Sequence, residues 1–150
     1  MMAFTPDGDL KWQYGTDGPV DSSPAIGRNG DIYFYADDGF LYALTKDGEL
    51  KWKYDTGSET SSSNWWSPVV GQNDTVYAGT AHGELIALDR AGQLLWEYDP
   101  LGTPFTPVIA EDGTVYFGTA NGFLYALNPD GNLKWEYTDA YLLLSPPASI

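Results

Sequence analysis

The residues with the widest chemical reach in this chain are one histidine, a serine run, an aspartate pair and a tryptophan pair. His82 is the sole histidine, so a second imidazole to share a metal or relay a proton is lacking. Ser61, Ser62 and Ser63 offer hydroxyls, but a nucleophile needs a positioned base and no spacing brings His82 to them. Asp37 and Asp38 are a weak match for Ca²⁺, because no Asp-x-Asp-x-Asp-Gly loop surrounds them. A two-carboxylate glycosidase pair is conceivable, yet each candidate aspartate has a turn explanation. Trp65 and Trp66 follow Asn64 on a polar stretch, 57–66, where paired indoles suit stacking on a sugar ring, a flat ligand or a partner's apolar side chain. The plainer reading is that both indoles pack on their own sheet. No catalytic constellation, metal site or cofactor site follows from these residues, and the absence of cysteine removes disulfides, thiolate ligands and cysteine nucleophiles.

Composition narrows the partners. The formal charge is −14 over 150 residues, with a pI near 4.1. Such an acidic surface repels phosphate backbones and anionic lipid, which argues against nucleic acid and membrane partners. No apolar run approaches the ~20 residues of a membrane helix. The first residues, Met1-Met2-Ala3-Phe4-Thr5-Pro6, lack the basic and apolar regions of an export signal and read instead as a copy of Leu124-Tyr125-Ala126-Leu127-Asn128-Pro129.

That copy belongs to a repeat. Ala3, Ala43, Ala87 and Ala126 each open the pattern Ala-x-x-x-(Asp/Ala)-Gly-x-Leu-x-Trp, which closes on Trp12, Trp52, Trp96 and Trp135. The tryptophans stand 40, 44 and 39 residues apart. A period of this length with strand-like content predicts repeated sheets that bury their faces only against neighbours. Each full copy holds four extended segments, A to D, within residues 22–54, 67–98 and 105–137. A C–D pair occupies 1–15, and a lone A segment is expected over 141–150, where Pro146 follows Pro107 by one period of 39. Asp-Gly and Asn-Gly pairs between segments, such as Asp47-Gly48 and Asn121-Gly122, predict two-residue type I′ hairpins. Segment C is apolar on both faces: Leu41 and Ala43 point one way, Tyr42 and Leu44 the other, as for a sheet packed between two sheets. The small alanine is expected to leave room for a tryptophan from the next sheet.

At these residues the chain resembles the quinoprotein-like (PQQ-like) β-propeller repeat family. Its tryptophan-docking motif is similar to Ala43-Leu44-Thr45-Lys46-Asp47-Gly48-Glu49-Leu50-Lys51-Trp52 and the three sister segments, although the copies here are one residue shorter. Segments such as Ser22-Ser23-Pro24-Ala25-Ile26-Gly27 and Gly122-Phe123-Leu124-Tyr125-Ala126-Leu127 carry the likeness over almost the whole chain. The resemblance implies an all-β propeller of four-stranded blades, with strand A innermost and strand D outermost. It implies no quinone cofactor here, because the dehydrogenases of that superfamily use an adjacent cysteine pair. Relatives commonly work outside the cytoplasm, and some are scaffolds rather than enzymes.

Three complete repeats and an incomplete fourth leave apolar faces at both ends of the row, larger than a soluble monomer carries. The favoured expectation is a homodimer closing as an eight-bladed ring about a two-fold axis, ahead of a four-bladed monomer or a fragment of a longer chain. In such a ring the D–A and B–C connections share one face. That places Asn64, Trp65, Trp66, Asp37, Asp38, His82 and Asn121 together as the candidate ligand face. The expected role is a non-catalytic binding or scaffold module for a protein or glycan partner. The alternative is a small-molecule or cation-binding propeller, or part of a quinoprotein-like enzyme.

Overall fold

The structure is a computed structural model that describes residues 1–57 and 66–138. The expected A segment at 141–150, with Asn64 and Trp65, lies outside the described residues. The chain begins with a two-stranded hairpin, β1 (Met2–Phe4) and β2 (Leu10–Gln13). Three four-stranded antiparallel sheets follow in simple up-and-down order. Blade one holds β3 (Ala25–Ile26), β4 (Ile32–Ala36), β5 (Phe40–Leu44) and β6 (Leu50–Asp55). Blade two holds β7 (Val69–Val70), β8 (Val76–Gly79), β9 (Leu85–Leu88) and β10 (Leu94–Tyr98). Blade three holds β11 (Val108–Ile109), β12 (Val115–Gly118), β13 (Phe123–Leu127) and β14 (Leu133–Thr138). No helix among the described residues is long and apolar enough to cross a membrane.

The A strands are shorter than the sequence suggests, two residues each, and begin directly after Pro24, Pro68 and Pro107. Proline has no N–H to give the ladder, so pairing starts one residue later.

The turns also depart from expectation. In the C–D turn of blade one, Gly48 N–H bonds the Thr45 carbonyl and Thr45 N–H bonds that of Glu49, while Gly48 alone has positive φ, at 84°. This is a three-residue loop, a type I turn closed by a glycine bulge, and not the predicted type I′ pair. The same bonds recur around Gly39, Gly83, Gly92, Gly113, Gly122 and Gly131. The aspartate ahead of the glycine therefore stays in the ordinary region, and only the glycine must turn left-handed. The I′ geometry occurs at a place the sequence did not flag, Gln72–Thr75, where Asn73 and Asp74 have φ of 60° and 58°. There the Asp74 carboxylate accepts a bond from the Arg28 N–H of blade one at 2.8 Å.

Burial follows the two-faced pattern. Tyr33, Leu41 and Ala43 of blade one pack with Val76, Ala78, Ile86 and Leu88 of blade two. The far face of blade two, with Tyr77, Leu85 and Ala87, meets Val115, Phe117, Tyr125 and Leu127 of blade three. Phe34, Ala36, Tyr42 and Leu44 of blade one are covered by Met1, Trp12, Tyr14 and Val20 of the N-terminal hairpin and the segment after it. Burying several such side chains at ~1.5–3 kcal/mol each makes the gaps between blades the true core.

A second device fixes each gap. Trp12 Nε1 donates to the Lys46 carbonyl, Trp52 Nε1 to that of Arg90, and Trp96 Nε1 to that of Pro129, each at 3.0 Å. The three rings rest on the glycine two residues further on. A Cβ at Gly48, Gly92 or Gly131 would lie 2.6, 2.7 and 2.6 Å from the respective indole. The sequence-based expectation is corrected here. Ala3, Ala43, Ala87 and Ala126 pair in register with Trp12, Trp52, Trp96 and Trp135 of their own sheets, and the indole docks instead on the next blade's C–D turn. Among the described residues the row does not close on itself, and Trp135 has no turn to meet.

Candidate functional site

The B–C and D–A connections do share one face, and each B–C turn there is sealed by the preceding D–A loop. Asp37 N–H bonds the Pro19 carbonyl, Ala81 N–H that of Thr56, and Ala120 N–H that of Thr103. A glycine in each D–A loop then lies under the following turn residue. A Cβ at Gly18, Gly57 or Gly102 would stand 2.6 Å from Asp38, 2.5 Å from His82 and 2.7 Å from Asn121. Asp38, His82 and Asn121 thus occupy equivalent posts at three successive seams rather than converging on one point.

Asp38 is the most committed of them. Its carboxylate accepts the Tyr42 hydroxyl at 2.7 Å and the Asp17 N–H at 3.1 Å. Burial, and after it the bond to this carboxylate, pushes the Tyr42 phenol above its ordinary range. Asp37 beside it is exposed and takes part in none of these side-chain bonds. Among the described residues no cluster of three metal-ligating side chains forms.

Trp66 follows the plainer of its two readings, packing on its own sheet, and so leaves the candidate ligand face. It is only 8% exposed, and its ring lies against Gly79, where a Cβ would come within 2.7 Å. Gly79 also supplies the carbonyl that accepts the Tyr35 hydroxyl from blade one at 2.8 Å. The glycine ending β8 therefore admits both contacts at once, and Trp66 is spent on its own blade. At the A-strand edge of the blades, Ser23 N–H donates to Ser67 Oγ at 3.1 Å and Ser67 N–H to Thr106 Oγ1 at 3.3 Å, linking the segments that lead into β3, β7 and β11.

A recess on this face lies between blades one and two. It measures about 360 Å³ and is walled by Tyr54, Asp55, Thr56 and Gly57 on one side and Thr80, His82, Glu84, Ile86 and Glu97 on the other. That volume falls within the range of small ligand sites, although the lining is polar. Glu84 accepts the Thr80 hydroxyl at 2.8 Å, which turns its carboxylate along the wall. Burial raises the Tyr54 phenol, and the charges of Glu97, Glu84 and Asp55 add to the rise, so the field in the recess is negative. Of these residues only His82 was singled out from the sequence. Asp55, Glu84 and Glu97 sit at unremarkable strand ends, and only the packing of two blades brings them together. A second recess of about 260 Å³ opens on the opposite face, among the A–B turns, with Arg28, Gln72 and Glu111 at its rim.

Known proteins share this arrangement. The chain superposes on BamB from Moraxella catarrhalis with a TM-score of 0.70 and 25% identity, covering 87% of this chain and 40% of that one. It superposes on quinohemoprotein alcohol dehydrogenase from Comamonas testosteroni with a TM-score of 0.59 and 22% identity, over 80% of this chain and 21% of that one. Streptogramin B lyase gives 0.66 and 21%, over 91% of this chain and 47% of that one. The last two likenesses speak for the fold alone, and the chain spans less than half the length of all three. No match is found among curated proteins. Residues 1–106 match the PQQ_2 family, described as outer membrane protein assembly factor BamB. With most of its length matched and its blades built on that plan, the chain belongs to the PQQ_2 family of β-propeller repeat proteins.

Proposed function

We propose that the chain is a non-catalytic binding module that offers its D–A/B–C face to a protein partner and takes a cationic segment of that partner into the recess between blades one and two. The observation that carries this reading is the lining of the recess: Asp55, Glu84 and Glu97 with no lysine or arginine among them. A peptide ammonium or guanidinium would find paired acceptors there and a net charge of −14 behind them. The non-catalytic part is supported by how the reactive side chains of this face are used. Asp38 is bound up with Tyr42 and Asp17, while His82 and Asn121 sit over glycines at the seams. A glycan partner is less well supported, because Trp66 is buried rather than offered as a platform. The family description names an assembly factor, which agrees with a scaffold role.

The test is an amide NMR titration of the chain with oligolysine, with Ca²⁺ and with a neutral oligosaccharide. Oligolysine is expected to shift Gly57, Thr80 and Glu84, and a Glu84→Gln/Glu97→Gln variant to lose the shifts. A response at these residues to Ca²⁺ alone would favour the cation-binding reading, and silence with all three probes would reject the site.

A further inference from the structure

We infer that the recess among the A–B turns binds a short zwitterionic peptide, a dipeptide in size, with its carboxylate on Arg28 and its ammonium on Glu111. It opens on the face away from the recess assigned above to a protein partner, so neither reading depends on the other. Residues 26–28, 70–72 and 109–111 are equivalent in the three blades, at the end of strand A and the start of the turn. The first position is apolar and branched each time: Ile26, Val70 and Ile109. The second is small each time. The third changes from blade to blade, reading Arg28, Gln72 and Glu111, a cation, an amide and a carboxylate in blade order.

Two bonds hold the three turns in place. Arg28 N–H donates to the buried Asp74 carboxylate at 2.8 Å, which ties the first turn to the second. Gln72 Nε2 donates to the Glu111 carbonyl, which ties the second to the third. Each bond uses the backbone of the charged residue and leaves its side chain uncommitted. Lys11, Lys51, Arg90 and Lys134 all pair with carboxylates, whereas neither Arg28 nor Glu111 has an ion-pair partner among the described residues. An arginine left over in a chain of charge −14 is the exception. Both side chains line the same recess without neutralising each other.

The space between them sets the ligand. At about 260 Å³ the recess falls just under the ~300–1,000 Å³ of common ligand sites, room for a dipeptide and little more. A free amino acid carries both charges on one carbon, but Arg28 and Glu111 stand on blades one and three with Gln72 between them. A second residue adds about 3.3–3.6 Å of reach. The Arg28 fork matches a carboxylate, and Gln72 keeps its Oε1 to accept the peptide N–H. Ile26, 69% exposed, joins Val70 and Ile109 as an apolar wall for one side chain. The middle turn puts no side chain of its own in the way at Gly71, where a Cβ would stand 2.8 Å from the Tyr77 ring and 3.5 Å from Ile109.

The experiment is calorimetric titration of the 150-residue chain with alanyl-leucine, its N-acetyl form, its C-terminal amide and free leucine, with amide NMR to place the site. Alanyl-leucine is expected to bind and to shift Val70, Gly71 and Ala110 while Thr80 and Glu84 stay still. Removing either terminal charge should weaken binding about tenfold, as should shortening to leucine. Arg28→Gln should bind the dipeptide and its amide alike, and Glu111→Gln the dipeptide and its N-acetyl form alike. Both residues are exposed, so the variants should keep the parent's circular dichroism. No binding at millimolar dipeptide, affinity indifferent to both caps, or shifts confined to other residues would each overturn the inference. An N-acetyl form that binds as tightly as the free dipeptide would also overturn it, since the site would then read a carboxyl terminus alone.

Discussion

The indole of Trp52 fills the space that a side chain at Gly92 would need: a Cβ there would stand 2.7 Å from the ring. The contact joins the outer strand of one blade to the C–D turn of the next. Gly92 answers two demands at once, a φ of +81° and a bare α-carbon.

These demands separate by substitution. Gly83 also has positive φ, at 94°, but has nothing within 4 Å of its missing Cβ. Gly83→Ala is expected to cost only the left-handed strain, about 1–2 kcal/mol. Gly92→Ala should cost about 1–3 kcal/mol more, because the indole must shift. Urea unfolding of both variants measures the difference.

Tyr33 carries a hydroxyl that is buried without a hydrogen-bond partner among the described residues. Tyr33→Phe removes a buried polar group that gains nothing in return, so it should stabilise by about 1 kcal/mol in thermal or urea unfolding. Burial, with smaller contributions from Asp31 and Asp74, also pushes this phenol up from 10.0 to about 12. A raised value means that its share of stability is intact below pH 10 and drains away as pH rises toward 12. The alkaline limb of the stability curve should therefore flatten in Tyr33→Phe.

Asp31 gives the acid limb. It is buried beside Lys51 of its own blade and lies 3.6 Å from Arg90 of the next. Burial alone would raise its carboxyl, but Lys51, Asn29 and Arg90 together hold it below the ordinary 3.8. Its contribution is therefore present above pH 3.8 and is lost as pH falls through the lower folded value. Asp31→Asn should be less stable at neutral pH, with a shallower loss on acidification, as followed by fluorescence-detected unfolding.

The blade plan could be read from the sequence because periodicity survives any detail of packing. Trp12, Trp52, Trp96 and Trp135 announce their strands by spacing, and Leu41 to Leu44 announce a two-faced sheet. What the tryptophans touch was not legible, since Gly48 and its sisters already had a turn reason to be glycine. The docking reason lies on another blade. The type I′ reading failed for a related cause: an Asp-Gly pair fits both that turn and a type I turn with a glycine bulge, and strand register decides between them. Within the candidate site, His82 stood out only because it breaks the run of Asp38 and Asn121. Asp55, Glu84 and Glu97 come from two different blades and share no sequence spacing. The burial of Trp66 was the plainer reading of the sequence, but its seat was not legible, because Gly79, which makes room for it, lies 13 residues further on.

The account rests on the indole and the turn glycine being one joint, and a double-variant cycle on Trp52→Ala and Gly92→Asn tests that most directly. With the indole gone, the asparagine has nothing to displace, so the double variant should be about as stable as Trp52→Ala alone, with a coupling of about 1–3 kcal/mol. Losses that simply add would contradict it.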